Sequence, residues 1–343
     1  MPTPFDAVLL VSFGGPQGLD DIRPFLANVL RGRRIPQERI DEVVTHYEHF
    51  GGVSPLTAFT MAQAEGLRQR LAAAGLQLPV YVGMRNWHPL LPDTLRQMAE
   101  DGVRRAIGFV SAAHRSYSSC TQYKQNVADA RAELRGAGHR DITVTFVEDW
   151  HEHDGFIKAN ARHVESAIEQ LPADVRHQAR LIFTAHSIPV SMTGAARYQE
   201  QLRQSAERVA GRTGISDWAL VYQSRSGRPD DPWLGPDLCD YLREEHARGL
   251  KAAVLCPIGF VCDHIEVLYD LDSEAAAVAR SLGLPMTRAA AVNDDPAFVD
   301  AMADVVQRTW QRYQTGFPLP IVPLTPPERV EGPPVARARP SGT

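Results

Sequence analysis

The chain has 343 residues, of which 44% are hydrophobic and 22% charged, a composition typical of a globular protein with room for two domains. Its formal net charge of −5, without a stripe of Lys and Arg among aromatics, argues against nucleic-acid binding. No apolar run approaches the ~20 residues of a membrane span. The basic region of a signal peptide is missing before the apolar run 7–13, so we expect a cytoplasmic protein without integral membrane contact.

Short apolar, β-branched runs alternate along the chain with amphipathic helical patterns. This alternation indicates parallel sheets with helices on both faces. The predicted strands are 7–13, 79–84, 105–111, 142–147, 181–185, 218–223, 252–258 and 285–289. The predicted helices include 58–74, 92–100, 121–136, 156–171, 191–213 and 236–248.

The strands fall into two groups of four. They predict an α/β fold with two Rossmann-like lobes, each a four-stranded parallel sheet flanked by helices. We place the lobes at residues 1–150 and 151–317, and we expect the Pro-rich tail 318–343 to be extended and then disordered. Because open parallel sheets bind ligands at the carboxyl ends of their strands, we expect an active-site cleft between the lobes.

The loop after the first strand, 12–16, reads Ser-Phe-Gly-Gly-Pro. It lacks the Gly-x-Gly-x-x-Gly and Gly-Lys-Ser/Thr signatures of nucleotide-binding loops. The glycine pair is better explained as a turn that lets a flat ligand or another backbone approach closely.

Ser54 and Pro55 precede a predicted helix and have the form of an N-cap followed by proline at the first helical position. The same helix N-terminus would also suit an anionic ligand group. Arg31, Arg33 and Arg34 form a basic cluster that either holds carboxylates or is a solvated helix end. The sequence leaves both questions open.

His186 follows the predicted strand 181–185. A histidine at the carboxyl end of a strand favours a general base or a metal ligand over a purely structural residue. The Gly-x-Ser-x-Gly elbow of serine hydrolases and the His-Glu-x-x-His zinc motif are both missing. Neither of those enzyme classes is supported.

Glu266, Asp270 and Glu274 follow the strand 252–258 at intervals of four residues, so they share one face of a predicted helix. Because like charges in a row repel, the stripe is either a solvated surface or a site that handles protons or a hard cation. Its position after a strand end favours the second interpretation. For Glu274, the residue furthest along the helix, simple exposure stays an alternative.

The sequence has four cysteines and no Cys-x-x-Cys motif, which favours reduced thiols in a cytosolic protein. An iron–sulfur cluster requires four thiolates that converge in space, and the spacing here is uninformative. The four are Cys120, Cys239, Cys256 and Cys262.

Together these motifs resemble the ferrochelatase family. The segments that carry the resemblance are 12–16, 49–55, 85–87, 184–189, 223–227 and 257–272, in order across about residues 5–315. The run 263–267, Asp-His-Ile-Glu-Val, resembles the branch that uses coproporphyrin. The resemblance implies insertion of Fe²⁺ into a porphyrin, with coproporphyrin III favoured, in haem biosynthesis with release of two protons.

The resemblance also implies roles for individual residues. His186 and Glu266 would be the catalytic, iron-facing pair, and Asp270 and Glu274 would continue the metal-handling row. The residues implied to contact the porphyrin or its propionates are Ser54, Tyr123 and Arg31.

Two departures from the family pattern are visible. Phe13 occupies the position at which some members of the coproporphyrin branch carry a metal-ligating tyrosine, so the first candidate for an axial ligand to the product iron is His186. Some relatives hold a [2Fe-2S] cluster through cysteines in a C-terminal extension, but no cysteine follows Cys262. A cluster built from the internal cysteines stays open, and otherwise no cofactor is required beyond the substrate iron.

Several alternatives remain. Protoporphyrin IX could be the substrate, or the chain could carry a tetrapyrrole or metal without turnover. A cobalt-inserting relative that acts on a sirohydrochlorin-type ring is disfavoured by the complete motif set. We expect a monomer, because no apolar stripe is left over.

Overall fold

The structure is a computed structural model and describes residues 4–32, 36–226 and 231–314. Arg33, Arg34 and the predicted tail 318–343 lie outside the described residues. The strands are β1 Ala7–Ser12, β2 Val80–Met84, β3 Arg105–Val110, β4 Thr143–Phe146, β5 Ala179–His186, β6 Trp218–Gln223, β7 Ala252–Cys256 and β8 Met286–Arg288.

The helices connect these strands and cover both faces of the sheets. They are α1 Ile22–Val29, α2 Gln37–His49, α3 Leu56–Ala73, α4 Leu91–Glu100, α5 Gln122–Gly136, α6 Asp154–Glu169, α7 Ala195–Thr213, α8 Leu238–Ala247, α9 Ile265–Leu268, α10 Ala276–Leu282 and α11 Pro296–Gln314. Two segments are π-helical, Tyr117–Thr121 before α5 and Tyr269–Ala275 between α9 and α10. None of the helices in the described part of the chain is long and apolar enough to cross a membrane.

The strands form two parallel sheets of four, in the orders β2-β1-β3-β4 and β6-β5-β7-β8. The predicted α/β fold with two Rossmann-like lobes is confirmed. In each sheet the chain first moves to one side of its opening strand and then to the other. The topological switch points therefore lie between β1 and β3 and between β5 and β7, where ligands of such sheets bind.

The central strands show why the chain forms buried parallel sheets. Every residue of β1 and of β7 is buried, and apart from Ser12 these strands are apolar runs without alternation. The prediction ended the fifth strand at Ala185, but pairing with β6 continues to His186. The predicted helix 191–213 begins later, at Ala195, after Gly194 in a left-handed conformation (φ 86°).

The two lobes share a hydrophobic core. One cluster of buried side chains includes Val8 and Leu10 from β1 together with Phe183 and Val254 from the second sheet. Helix α11 packs against α6 and also against α3 and β3 of the first lobe. The division of the chain into two lobes near residue 150 stays a prediction, because one hydrophobic cluster contains residues from both sides of that position.

Candidate active site

The site is centred on a histidine and a glutamate of the second lobe. Nε2 of His186, at the end of β5, lies 3.4 Å from Oε1 of Glu266 in the first turn of α9. Their side chains are 34% and 42% exposed, so both are partly buried and still reachable from solvent. Helix α9 faces α2 of the first lobe, which places the pair between the lobes.

Local packing explains why two distant segments meet. The backbone N–H of Gly259, after β7, donates to the Thr184 carbonyl oxygen at 3.1 Å. A Cβ at Gly259 would lie 2.5 Å from the Ala185 Cβ, so only glycine lets this loop lie against the end of β5. The close approach brings the segment that begins at Gly259, and with it Glu266, to the strand end that carries His186.

The hydrogen bond of His186 Nδ1 determines the tautomer of the neutral ring. Nδ1 lies 2.5 Å from the carbonyl oxygen of Ser187, and because a carbonyl only accepts, Nδ1 carries a proton. In the neutral ring, Nε2 is therefore the nitrogen with a free lone pair. Burial lowers the pKa of His186, but the charge of Glu266 and the hydrogen bonds to Glu266 and Ser187 outweigh it, and the net shift is upward.

Glu266 lies between two histidines. In addition to His186 on Oε1, Nε2 of His264 lies 3.7 Å from Oε2. Burial opposes ionisation of Glu266, but the two imidazoles, when protonated, outweigh it and hold the pKa of this carboxyl far below its usual range. Glu266 is therefore a stable anion, suited to face a cation.

Asp270 has the opposite electrostatic character. Ser224 donates a short hydrogen bond to Oδ2, and Gln223 Nε2 donates to the same atom at 3.1 Å. Ser224 has a left-handed backbone (φ 61°), which is uncommon for a residue other than glycine. Burial and the charges of Glu266 and Glu274 nevertheless raise the pKa of Asp270 to about 7. Its carboxyl therefore exchanges protons near neutral pH.

The acidic row continues to Glu274 along a π-helix. Both Glu266 and Glu274 raise the pKa of Asp270, so the three carboxylates are neighbours, as their spacing predicted. The α-helical prediction was wrong between residues 269 and 275, where the helix is wider and π-helical, a feature common at functional sites. Glu274 is largely exposed, but partial desolvation of its carboxyl and the charge of Asp237 raise its pKa.

The first lobe contributes an aromatic and cationic group of side chains. Phe13, after β1, packs edge-on against Phe25 at 6.2 Å between ring centroids. The Arg85 guanidinium lies 5.6 Å from the centroid of Phe13 and 4.5 Å from that of Tyr123. Tyr123 is buried, and burial raises the pKa of its hydroxyl although the charge of Arg85 lowers it.

Ser54 is buried beside the glycine turn that follows β1. A Cβ at Gly15 would lie 2.6 Å from that of Ser54, so the turn serves the close approach of another segment of the chain. The N-cap interpretation of Ser54 was wrong. Helix α3 begins at Leu56 with Pro55 in the cap position and no side-chain cap, while the Ser54 backbone N–H donates to Pro16 O at 2.8 Å.

Arg31 lies at the surface, near the loop that contains Phe13. Its guanidinium donates to Asn28 Oδ1 at 2.6 Å, and Asn28 Nδ2 donates to the Asn86 carbonyl oxygen at 3.0 Å. The Asn86 backbone N–H in turn donates to the Phe13 carbonyl oxygen at 3.1 Å. Arg31 is thus connected to that loop through Asn28 and Asn86.

A stacked pair joins the lobes at this site. His46 of α2 stacks on Tyr269 of the π-helix, with 3.6 Å between ring centroids and an interplanar angle of 11°. Sequence reasoning did not assign roles to His46, His264 or Ser224. The position of His264, two residues before Glu266, was an available signal, whereas the approach of His46 and Ser224 depends on tertiary packing.

The cysteines do not fit an iron–sulfur cluster. Cys256 and Cys262 are buried in the core, Cys120 belongs to the first lobe's π-helix, and Cys239 to α8. Burial is the main cause that raises the pKa of Cys262 to about 12. Within residues 4–32, 36–226 and 231–314, no three or more His, Cys, Asp or Glu side chains are arranged to hold a metal ion.

The two-lobed architecture is that of known chelatases. The cobalt complex of the sirohydrochlorin chelatase SirB from Bacillus subtilis subspecies spizizenii has a TM-score of 0.53, covering 91% of this chain and 97% of that chain at 9% identity. SirB from Bacillus subtilis with Fe³⁺ has a TM-score of 0.54, also at 9% identity, covering 91% and 98% of the two chains. At such low identity the likeness shows the fold alone.

Sequence comparison gives the family. The ferrochelatase family profile matches residues 5–310. A coproporphyrin III ferrochelatase from Streptomyces coelicolor is 48% identical, covering 89% of this chain and 85% of the relative. One from Mycolicibacterium smegmatis is 41% identical, covering 96% and 93%, and a ferrochelatase from Rhodopirellula baltica is 47% identical, covering 89% and 86%. The chain belongs to the ferrochelatase family, which confirms the resemblance and the enzyme class predicted from its motifs.

Proposed function

We propose that this protein inserts Fe²⁺ into coproporphyrin III in haem biosynthesis and releases two protons. The observation that carries the proposal is the 3.4 Å pair of His186 Nε2 and Glu266, with the Asp270 carboxyl behind it. His186 has a free nitrogen lone pair when it is neutral. Glu266 is a stable anion, and the Asp270 carboxyl titrates near neutral pH. Metal insertion needs these three capacities, because two N–H protons leave the ring as a cation enters.

The arrangement favours a division of labour. His186 accepts a pyrrole proton at Nε2, since Nδ1 is occupied by the Ser187 carbonyl oxygen. Glu266 stays ionised and faces the incoming Fe²⁺. Asp270, whose pKa is about 7, passes protons onward to Glu274 and solvent. A site of one imidazole and one carboxylate leaves most iron coordination positions for the porphyrin nitrogens, as a metal in transit requires.

The first lobe is proposed to hold the ring. Phe13 presents a phenyl group that cannot ligate iron, and Arg85 adds a cation above the Phe13 and Tyr123 rings. Arg31, Ser54 and Tyr123 are proposed to contact the porphyrin or its propionates. Coproporphyrin III has four propionates and protoporphyrin IX two, so an exposed arginine favours the former. The names of the Streptomyces and Mycolicibacterium relatives support the same substrate.

The test is an anaerobic assay of Fe²⁺ insertion with coproporphyrin III and protoporphyrin IX side by side. We expect multiple turnovers and a higher kcat/KM with coproporphyrin III. A higher kcat/KM with protoporphyrin IX would reverse the substrate assignment. Stoichiometric binding without turnover would instead identify a tetrapyrrole carrier.

The proposal includes a cytoplasmic monomer without a resident cofactor. All four cysteines are free thiols, which supports a reducing compartment. An absorption spectrum of the purified protein tests the cofactor statement, because an iron–sulfur cluster would give visible bands. Light scattering tests the oligomeric state.

A further inference from the structure

Arg288, the last residue of β8, contacts both sides of residues 263–275, which we call the catalytic segment because they contain Glu266 and Asp270. Arg288 of β8 donates from Nη1 to Asp263 Oδ1 at 2.9 Å. It also donates from Nε and Nη2 to the two carboxylate oxygens of Asp272, at 2.7 and 3.0 Å. Asp263 lies three residues before Glu266, and Asp272 two residues after Asp270. One guanidinium therefore connects the two ends of the segment that carries both proposed functional carboxylates.

Asp263 is itself held from several directions. Its Oδ2 accepts from Asn293 Nδ2 at 2.8 Å, and its backbone N–H donates to Asn293 Oδ1 at 2.8 Å. The side chains of Arg288 and Asp263 are only 17% and 10% exposed. Separating Arg288 from Asp263 would leave a poorly solvated charge, so this ion pair strongly favours the observed position of Asp263.

The same network reaches the first lobe. Gln63 of α3 donates from Nε2 to the Asn293 carbonyl oxygen at 2.6 Å and to Cys262 Sγ at 3.2 Å. Cys262 directly precedes Asp263. The catalytic segment is thus fixed relative to the lobe that is proposed to hold the porphyrin.

The segment needs external support for two physical reasons. Its π-helical part, Tyr269–Ala275, is a rare backbone form that is usually limited to a single turn. It also concentrates negative charge, and like charges on neighbouring turns destabilise a helix. The acidic residues are Asp263, Glu266, Asp270, Asp272 and Glu274.

We propose that Arg288 is a positioning residue for metal insertion: through Asp263 and Asp272 it sets where Glu266 and Asp270 stand relative to the bound porphyrin. This inference rests on the proposed function of those two carboxylates. Arg288 acts through Asp263 and Asp272, so we expect its removal to lower kcat and to leave porphyrin binding in the first lobe intact.

The experiment compares Arg288→Met, Arg288→Lys and Asp272→Asn with a matched control, Arg180→Met. Arg180 is a 23% exposed arginine that also binds two acidic side chains, Asp217 at 2.9 Å and Glu245 at 2.5 Å. It belongs to the same sheet but to the start of β5, at the end opposite His186. Steady-state kinetics with coproporphyrin III and Fe²⁺ and thermal unfolding are measured for each variant.

For Arg288→Met we expect kcat to fall ~10–100-fold, the usual cost of removing the partner that orients a functional ligand, with the KM for porphyrin within about twofold. Arg288→Lys recovers part of the loss, because an ammonium keeps the charge but not the bidentate geometry. Asp272→Asn gives a smaller loss of kcat. Arg180→Met lowers the Tm and leaves kcat unchanged.

The inference is overturned if Arg288→Met and Asp272→Asn keep the wild-type kcat, or if Arg180→Met loses kcat as much as they do. If Arg288→Met does not fold, Asp272→Asn alone decides between these outcomes. A failure of the proposed function is distinguishable. In that case the wild-type protein does not turn over, whereas a failure of the positioning role leaves His186→Ala inactive and the Arg288 variants active.

Discussion

The two lobes have the same topology and opposite chemistry. In each, the opening strand ends at the switch point of its sheet, β1 before Phe13 and β5 at His186. The first lobe places a phenyl ring and an arginine–tyrosine stack there, and the second places an imidazole and a row of carboxylates. The shared topology determines where side chains are presented. The residue types then support the proposal of a first-lobe side that holds the porphyrin and a second-lobe side that handles protons and metal.

The largest effect is expected from substitutions of His186 and Glu266 in the second lobe. His186→Ala removes the nitrogen proposed to accept a proton, and Glu266→Gln removes the anion that faces Fe²⁺. We expect each to lower the rate of metal insertion by ~10²–10⁴-fold, the range of acid–base catalysis, with unchanged thermal unfolding. The control is His177→Ala, at an exposed histidine before β5. Near-wild-type rates in both cleft variants would contradict the catalytic pair.

The next effect concerns pH and Asp270. Both His186 and Asp270 must be unprotonated to accept protons, so wild-type activity should fall as pH drops through about 7, the pKa of Asp270. Asp270→Asn should lower kcat ~10–100-fold. It should also move the remaining acidic limb to lower pH, because the charge of Asp270 contributes to the raised pKa of His186. The measurement is kcat/KM from pH 5 to 9, and an unmoved limb would argue against coupling between the two groups.

The sequence predicted the features that depend on local pattern. Buried runs predicted the eight strands of the described residues, and His186 lies at the end of a strand as predicted. The interval of four residues correctly grouped Glu266, Asp270 and Glu274, because residues four apart remain neighbours even where the helix becomes π-helical.

The features that the sequence did not predict depend on tertiary contacts. Nothing in the periodicity indicates a π-helix, whose turns are held from outside by Arg288 and Ser224. The cap considered at Ser54 is not formed: helix α3 has no side-chain cap, and the Ser54 backbone pairs with the glycine turn after β1. The stack of His46 on Tyr269 joins residues more than 200 positions apart, and no pattern within one sequence signals it.

A smaller effect tests whether Phe13 of the first lobe faces the iron. Phe13→Tyr introduces a hydroxyl at the position proposed to face the iron, and the ring already fits beside Phe25. We expect only a modest change in turnover. The product complex should gain a phenolate-to-iron charge-transfer band in its absorption spectrum. Tyr123→Phe is the control, since it removes a hydroxyl in the same lobe. A variant spectrum identical to wild type would mean that position 13 does not face the metal.

The smallest effect tests where the acidic row ends. Asp270 is only partly buried, so solvent can accept protons from it without Glu274. Glu274→Gln should change kcat by about twofold or less, and it should lower the pKa of Asp270 because one negative neighbour is lost. The acidic limb of the pH profile should then move slightly to lower pH at nearly constant maximal rate. A loss of rate comparable to that of Asp270→Asn would show instead that Glu274 belongs to the working part of the second lobe.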